Sequence, residues 1–149
     1  MAVKNLGAVV AALERAQKAY HSDKVLRVGF LEGARYTDTG TPVALVAAVQ
    51  EFGSPANNIP PRPFFRTAIE QNKQKWADRI AELLPEMESA DAALNMAAEV
   101  IEDDVRMSIR DGGWAPNAPS TLRQKKFDKP LIDTGHMARS VNHDLEGET

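Results

Sequence analysis

Within the first twenty residues Leu6, Val9, Val10, Leu13, Ala16 and Tyr20 recur at intervals of three and four, the period of one helix face starting after an Asn5 cap. His21-Ser22-Asp23 ends that pattern. Val25 to Leu31 follows as a short run rich in β-branched and aromatic residues, which predicts a strand with Leu26, Val28 and Phe30 on one face. Glu32 to Gly40 has the glycines and polar residues of a loop or hairpin tip. Thr41-Pro42 then offers a hydroxyl cap and a first-turn proline to a short helix. In it Val43, Val46, Ala47 and Val49 point inward, and Gly53 supplies a left-handed C-terminal cap. The prolines between Ser54 and Pro63 exclude helix and central strand and predict an extended, rigid connector.

Pro63 opens the next helix, whose apolar positions Phe65, Ile69, Trp76, Ile80, Leu83 and Leu84 keep helical spacing until Pro85. A second long helix spans Ser89 to Arg110, with Leu94, Ala97, Ile101, Val105 and Ile109 on one stripe and Glu102, Asp103 and Asp104 on the wet side. The two predict an αα-hairpin. Asp111-Gly112-Gly113 breaks it, and Trp114 to Pro130 is a basic, proline-containing connector with at most one helical turn, at Ser120 to Lys126. Ala138 to Leu145 reads as a half-polar strand able to pair with the strand at 25–31. The expected fold is α/β of the α+β kind, a small, mainly antiparallel sheet packed with an N-terminal helix and a long αα-hairpin. It forms one domain over residues 1–145, with 146–149 as a frayed acidic tail.

Composition narrows the function classes. A chain of 149 residues is long enough for one hydrophobic core without metals or disulfides, and 43% hydrophobic residues argue against disorder throughout. A net charge of −3 removes the global basic footprint of a protein that grips nucleic acid over its whole surface. The absence of cysteine excludes thiolate metal sites and a Cys nucleophile and fits folding in a reducing cytoplasm. Lys4, Glu14, Arg15 and Lys18 interrupt the N-terminus, so neither a signal peptide nor a membrane span is expected.

Catalytic chemistry has little support. The three histidines, His21, His136 and His143, join no marked nucleophile. A hydrolase using His136 and Asp133 is the rival enzyme reading. His136 and His143 with Asp133 and Asp144 lack a recognisable metal-ligand spacing. Glu102-Asp103-Asp104 diverge around a helix and read as its solvated face, and no phosphate-binding glycine loop is present. No catalytic, cofactor or metal residue is therefore assigned. Arg123, Lys125, Lys126 and Lys129 with Phe127 form the one basic stretch, a solvated or subunit-contacting loop rather than a nucleic-acid module.

The most informative segment is Gln50-Glu51-Phe52-Gly53 followed by Ile59-Pro60-Pro61-Arg62-Pro63-Phe64-Phe65-Arg66. Its prolines make a stiff arm that carries Arg62, Arg66, Phe64 and Phe65. The plain reading is a helix lead-in whose aromatics plug the core. The sharper one is a preorganised interface arm, since rigid segments lose little entropy on docking. Arg62, Phe64 and Phe65 are expected to anchor a neighbouring subunit or core, with Glu51 as partner of Arg62 or Arg66. Trp114, after Gly112-Gly113 and outside any periodic face, joins this expected interface with Phe52, Arg66, Arg123 and Lys125.

Those same residues carry a resemblance. The helix ending in Glu-Phe-Gly and the Ile-Pro-Pro-Arg-Pro-Phe-Phe-Arg block resemble the neck and tail-completion proteins of long-tailed bacteriophages, including the Mu-type virion morphogenesis family. Gly113-Trp114-Ala115-Pro116-Asn117-Ala118-Pro119-Ser120-Thr121-Leu122, then Lys129 to Gly135 and Ser140-Val141, resemble that family's later block in order and spacing. Gln50, Pro61, Phe127 and Met137 depart from the family's usual residues. The resemblance implies a non-enzymatic virion protein without cofactor. It would assemble with itself, as a hexamer or dodecamer, into a ring at the head–tail junction. Its partners would be the connector or head-completion protein and the tail-terminator or tail-tube protein, with genomic DNA passing through unbound. The alternatives are a minor tail or tail-terminator component, or a small nucleic-acid-binding module using the 123–129 loop.

Overall fold

A computed structural model of the chain describes residues 6–125, 130–131 and 135–147. Among the described residues six helices, a 15-residue α1 (Leu6–Tyr20), α2 (Val43–Phe52), α3 (Phe64–Leu83), α4 (Ala90–Asp111), α5 (Pro119–Lys125) and α6 (His136–Arg139), accompany two strands, β1 (Lys24–Phe30) and β2 (Val141–Gly147). The strands pair antiparallel, with Leu26 opposite Leu145, Val28 opposite His143 and Phe30 opposite Val141. This gives the expected α+β class, in which a sheet too small to stand alone is supported by the hairpin. The Asn5 cap, Lys126 to Lys129 and Asp133 lie outside the described residues.

Helix α4 joins the layers. Its buried Val105 and Ile109 meet Phe64 and Ala68 of α3, Val43 and Ala47 of α2, Met137 and Ala138 of α6, and Val141, in a core also flanked by Val28, Phe30, Phe65 and Trp114. At the far end of the hairpin Leu83, Ala93 and Ala97 form a second cluster with Ile80, Leu84 and Met87. Ser89, expected as the first residue of this helix, stands just before it as its cap, the hydroxyl accepting from the Ala92 N–H at 3.2 Å.

Several local expectations change. Helix α1 forms, but it contributes no residue to either cluster among the described residues; Val9, Val10, Leu13 and Tyr20 stay 44–64% exposed. The expected packing of the sheet with an N-terminal helix is thereby corrected. Pro42, not Thr41, caps α2, because its residue pairs with Arg35 in a short bridge and its backbone is extended. The connector is not extended throughout: Pro55–Asn57 is a turn of 3-10 helix closed by reciprocal Ser54–Ile59 backbone bonds. The acidic tail begins later than expected, since Glu146 and Gly147 belong to β2 and Arg27 holds Glu146 at 2.6 Å.

Glu102 is the clearest correction of the helical wet face. It is buried and accepts from Arg106 and pairs with His143 Nδ1, while Arg106 also donates to the Val141 carbonyl at 2.7 Å. This carboxylate is thus the polar tie between α4 and β2. Asp104 is likewise drawn towards α3, accepting from Lys75 and from Trp76 Nε1 at 2.7 Å.

Candidate subunit interface

The arm after α2 is fastened at both ends by buried charge. Helix α3 starts at Phe64 after Pro63, with no side-chain cap of its own. Glu51, in the last turn of α2 and only 5% exposed, supplies one from outside: it accepts the N–H groups of Phe65 at 2.9 Å and Arg66 at 3.2 Å. Those amides would otherwise lack acceptors, and the positive end of the helix favours a carboxylate. Arg66 Nε adds a charged bond to the same group at 2.8 Å. Of the two expected partners of Glu51, the fold selects Arg66.

Arg62 turns the other way. Its Nε donates to the Ala115 carbonyl at 2.9 Å, one terminal nitrogen to the Pro116 carbonyl at 3.0 Å and the other to Gln50 Oε1. Burial holds its pKa below the ordinary arginine value. Arg62 therefore clamps the Trp-Ala-Pro segment to the end of α2, joining two blocks some fifty residues apart in sequence. Gln50 was legible as part of the motif, but its role as a clamp partner was not, because the carbonyls it helps face come from a distant loop.

Of the two anchorages expected for Arg62, Phe64 and Phe65, a neighbouring subunit or the core, this geometry takes the core. Phe64 is 1% exposed inside the core and meets Phe30 edge-on, with ring centroids 6.1 Å apart. Phe65 packs on the same core and covers Gly29. Trp114 is also used internally, its Nε1 donating to the Ser108 carbonyl at 2.8 Å. A helix lead-in that plugs the core is what the aromatics form.

What stays outside is a different set of side chains. Helix α2 is apolar on both faces: Val43 and Ala47 are buried, whereas Leu45 and Phe52 are 56% and 68% exposed, with Ala48 between them. The Arg66 guanidinium lies over the Phe52 ring, 5.3 Å from its centroid, a stacking that holds the ring in place. Phe52 and Arg66 are thus two expected interface residues that remain available, and Leu45 is one the sequence reading missed. Its signal was present, because Leu45 and Phe52 are seven apart in a helix with no polar residue before Gln50. Arg123 is exposed on α5, and the Lys125 side chain lies outside the described residues.

Beside the arm a cleft of about 570 Å³ opens between the loop at Tyr36 to Thr41, Asn57 to Pro60 and α6. Its wall mixes amides and hydroxyls with apolar side chains such as Val46, Ile59 and Leu131. His136 borders it with Nε2 at 3.0 Å from the Arg35 carbonyl and its ring 5.0 Å from Tyr36. Among the described residues no helix is long and apolar enough to cross a membrane, and no three His, Asp or Glu side chains gather as a metal site. No protein-family model, curated protein or solved structure matches the chain.

Proposed function

We propose that this chain is a structural assembly subunit, a ring-forming neck or tail-completion protein at the head–tail junction of a long-tailed phage. The observation that carries the reading is the outward face of α2. A helix that is apolar on both sides belongs in an interior, yet Leu45, Ala48 and Phe52 face water in the single chain. That face asks for a protein neighbour. The sequence resemblance of the two blocks supplies the phage context, and Arg62 ties those blocks into one unit. The mildly acidic total suits a DNA channel that must not retain phosphate.

The test combines solution mass and phage assembly. Wild-type protein should sediment as a closed oligomer and appear as rings by negative-stain microscopy. Leu45→Ser with Phe52→Ser should leave a folded monomer with unchanged melting behaviour. Particles made without the protein should accumulate as filled heads beside finished, unattached tails. A wild-type chain that never self-associates, or a serine variant that assembles normally, would refute the proposal.

A further inference from the structure

The cleft beside the arm has a cation in its wall that the fold leaves without a counter-ion. Arg62 lines the cleft and is only 5% exposed. A buried charge is costly unless an opposite charge and hydrogen bonds accompany it. Glu51, the buried carboxylate of the arm, is committed to the start of α3 and to Arg66. Arg62 instead meets neutral acceptors, the Ala115 and Pro116 carbonyls and the Gln50 side-chain oxygen. Burial lowers its pKa, and among the described residues no anion raises it again.

Donors remain for an anion from outside. A guanidinium has five N–H groups, and three are used here, so each terminal nitrogen keeps one. Gln50 spends its oxygen on Arg62, which leaves its NH2 group as a further donor in the same wall. We propose that the cleft binds a carboxylate carried on a short apolar peptide segment of a protein partner, with Arg62 as counter-ion and Gln50 as second donor. This surface is distinct from the outward face of α2, and the proposal does not depend on ring formation.

The wall selects for that chemistry. N–H groups on two nitrogens of a planar guanidinium match the two oxygens of a carboxylate. The described lining residues include no lysine and no second arginine, and Asp38 stands at the exposed rim. His136, the other basic group, gives its Nε2 proton to the Arg35 carbonyl. One negative charge is therefore balanced, and a doubly charged phosphate is not. Val46, Ile59, Leu131 and Met137 supply the apolar part of the wall for the side chains that flank the acid. A volume of about 570 Å³ lies in the range of sites that enclose a ligand of a few residues.

Saturation-transfer NMR on the full chain tests the site with two carboxylate probes. One is a valine-glutamate-leucine peptide blocked at both ends, the other acetyl-valyl-leucine with a free terminal carboxylate. Their neutral counterparts carry glutamine and a terminal amide. At least one carboxylate probe should saturate with a Kd of about 1 mM or tighter, and the tighter one shows whether a side chain or a chain end is the source. Its neutral counterpart should bind at least about tenfold more weakly, the loss expected for a charged hydrogen bond. Inorganic phosphate at equal concentration should displace neither. Gln50→Glu supplies Arg62 with a counter-ion from inside, so it should abolish probe binding and melt roughly 2–4 °C above wild type. The assignment is overturned by equal binding of the neutral counterpart, by displacement with phosphate, or by no saturation of either carboxylate probe below about 10 mM. A Gln50→Glu variant that still binds, or that is no more stable than wild type, would overturn it too.

Discussion

Replacing Glu51 by alanine should unfasten the start of α3 while leaving its core residues in place. The carboxylate is 5% exposed and accepts two backbone N–H groups, at 2.9 and 3.2 Å, at a helix end with no other side-chain cap. Hydrogen bonds to a charged group contribute about 1.5–3 kcal/mol, and the charge at a helix N-terminus about 0.3–1 kcal/mol more. The ion pair to Arg66 adds little, because that guanidinium is 60% exposed and screened by water. Glu51→Ala should therefore cost about 3 kcal/mol, with the two part-buried amides left without their acceptor. Glu51→Gln keeps an acceptor oxygen and loses the charge, so it should cost about 1 kcal/mol.

Urea unfolding followed by helical circular dichroism reads both values, with the denaturant slope unchanged if the native fold is retained. For a chain of this size the alanine variant should melt roughly 6–12 °C lower. An alanine variant within about 0.5 kcal/mol of wild type would refute the capping argument. So would a glutamine variant as costly as alanine, because the acceptor oxygen would then be worth nothing.

Three further outcomes follow from the same region and from the α1 link. Arg62→Met keeps the packed stem but removes the donors to the Ala115 and Pro116 carbonyls, so the amides of Trp114, Ala115 and Asn117 should exchange at least about tenfold faster, in line with the loss of charged hydrogen bonds; unchanged protection would show that the segment does not need the clamp. Gly53→Ala should destabilise by about 2 kcal/mol, because φ there is +76° and the new Cβ would stand 2.9 Å from both the Ile59 oxygen and the Pro61 nitrogen; a melting curve like wild type would disprove it. Hydrogen bonds from Lys24 and Ser22 hold the Asp91 pKa below its ordinary 3.8, and the hydrogen bond to Asp91 together with its charge holds that of Lys24 above 10.5. The Asp91 contribution is full above its unfolded pKa and lost as pH falls through the depressed folded value; that of Lys24 is full below its unfolded pKa and lost as pH rises through the raised one. Carboxyl carbon NMR should find the Asp91 midpoint below the ordinary value, and a midpoint at or above it would exclude the link in solution.

Local periods were legible from the chain. The helix at 64–83, the hairpin turn with Pro85 and Ser89, and the pairing of the 25–31 strand with the last strand follow from spacing, caps and breakers that act over a few residues. The arm between Gly53 and Phe64 also stood out, because its prolines restrict the backbone whatever surrounds it.

Only the tertiary structure decided what the polar members of those elements do. Glu102 and Asp103 are adjacent carboxylates, yet one is buried against His143 and the other is exposed, since β2 crosses α4 on one side only. Arg62 and Arg66 flank the same two phenylalanines; one clamps a distant loop and the other stacks on Phe52 in water. A helix period tells which residues share a face, but what stands across from that face depends on contacts far apart in sequence. For the same reason the chain's own pattern announced α1 as an amphipathic helix and left open what covers its apolar side.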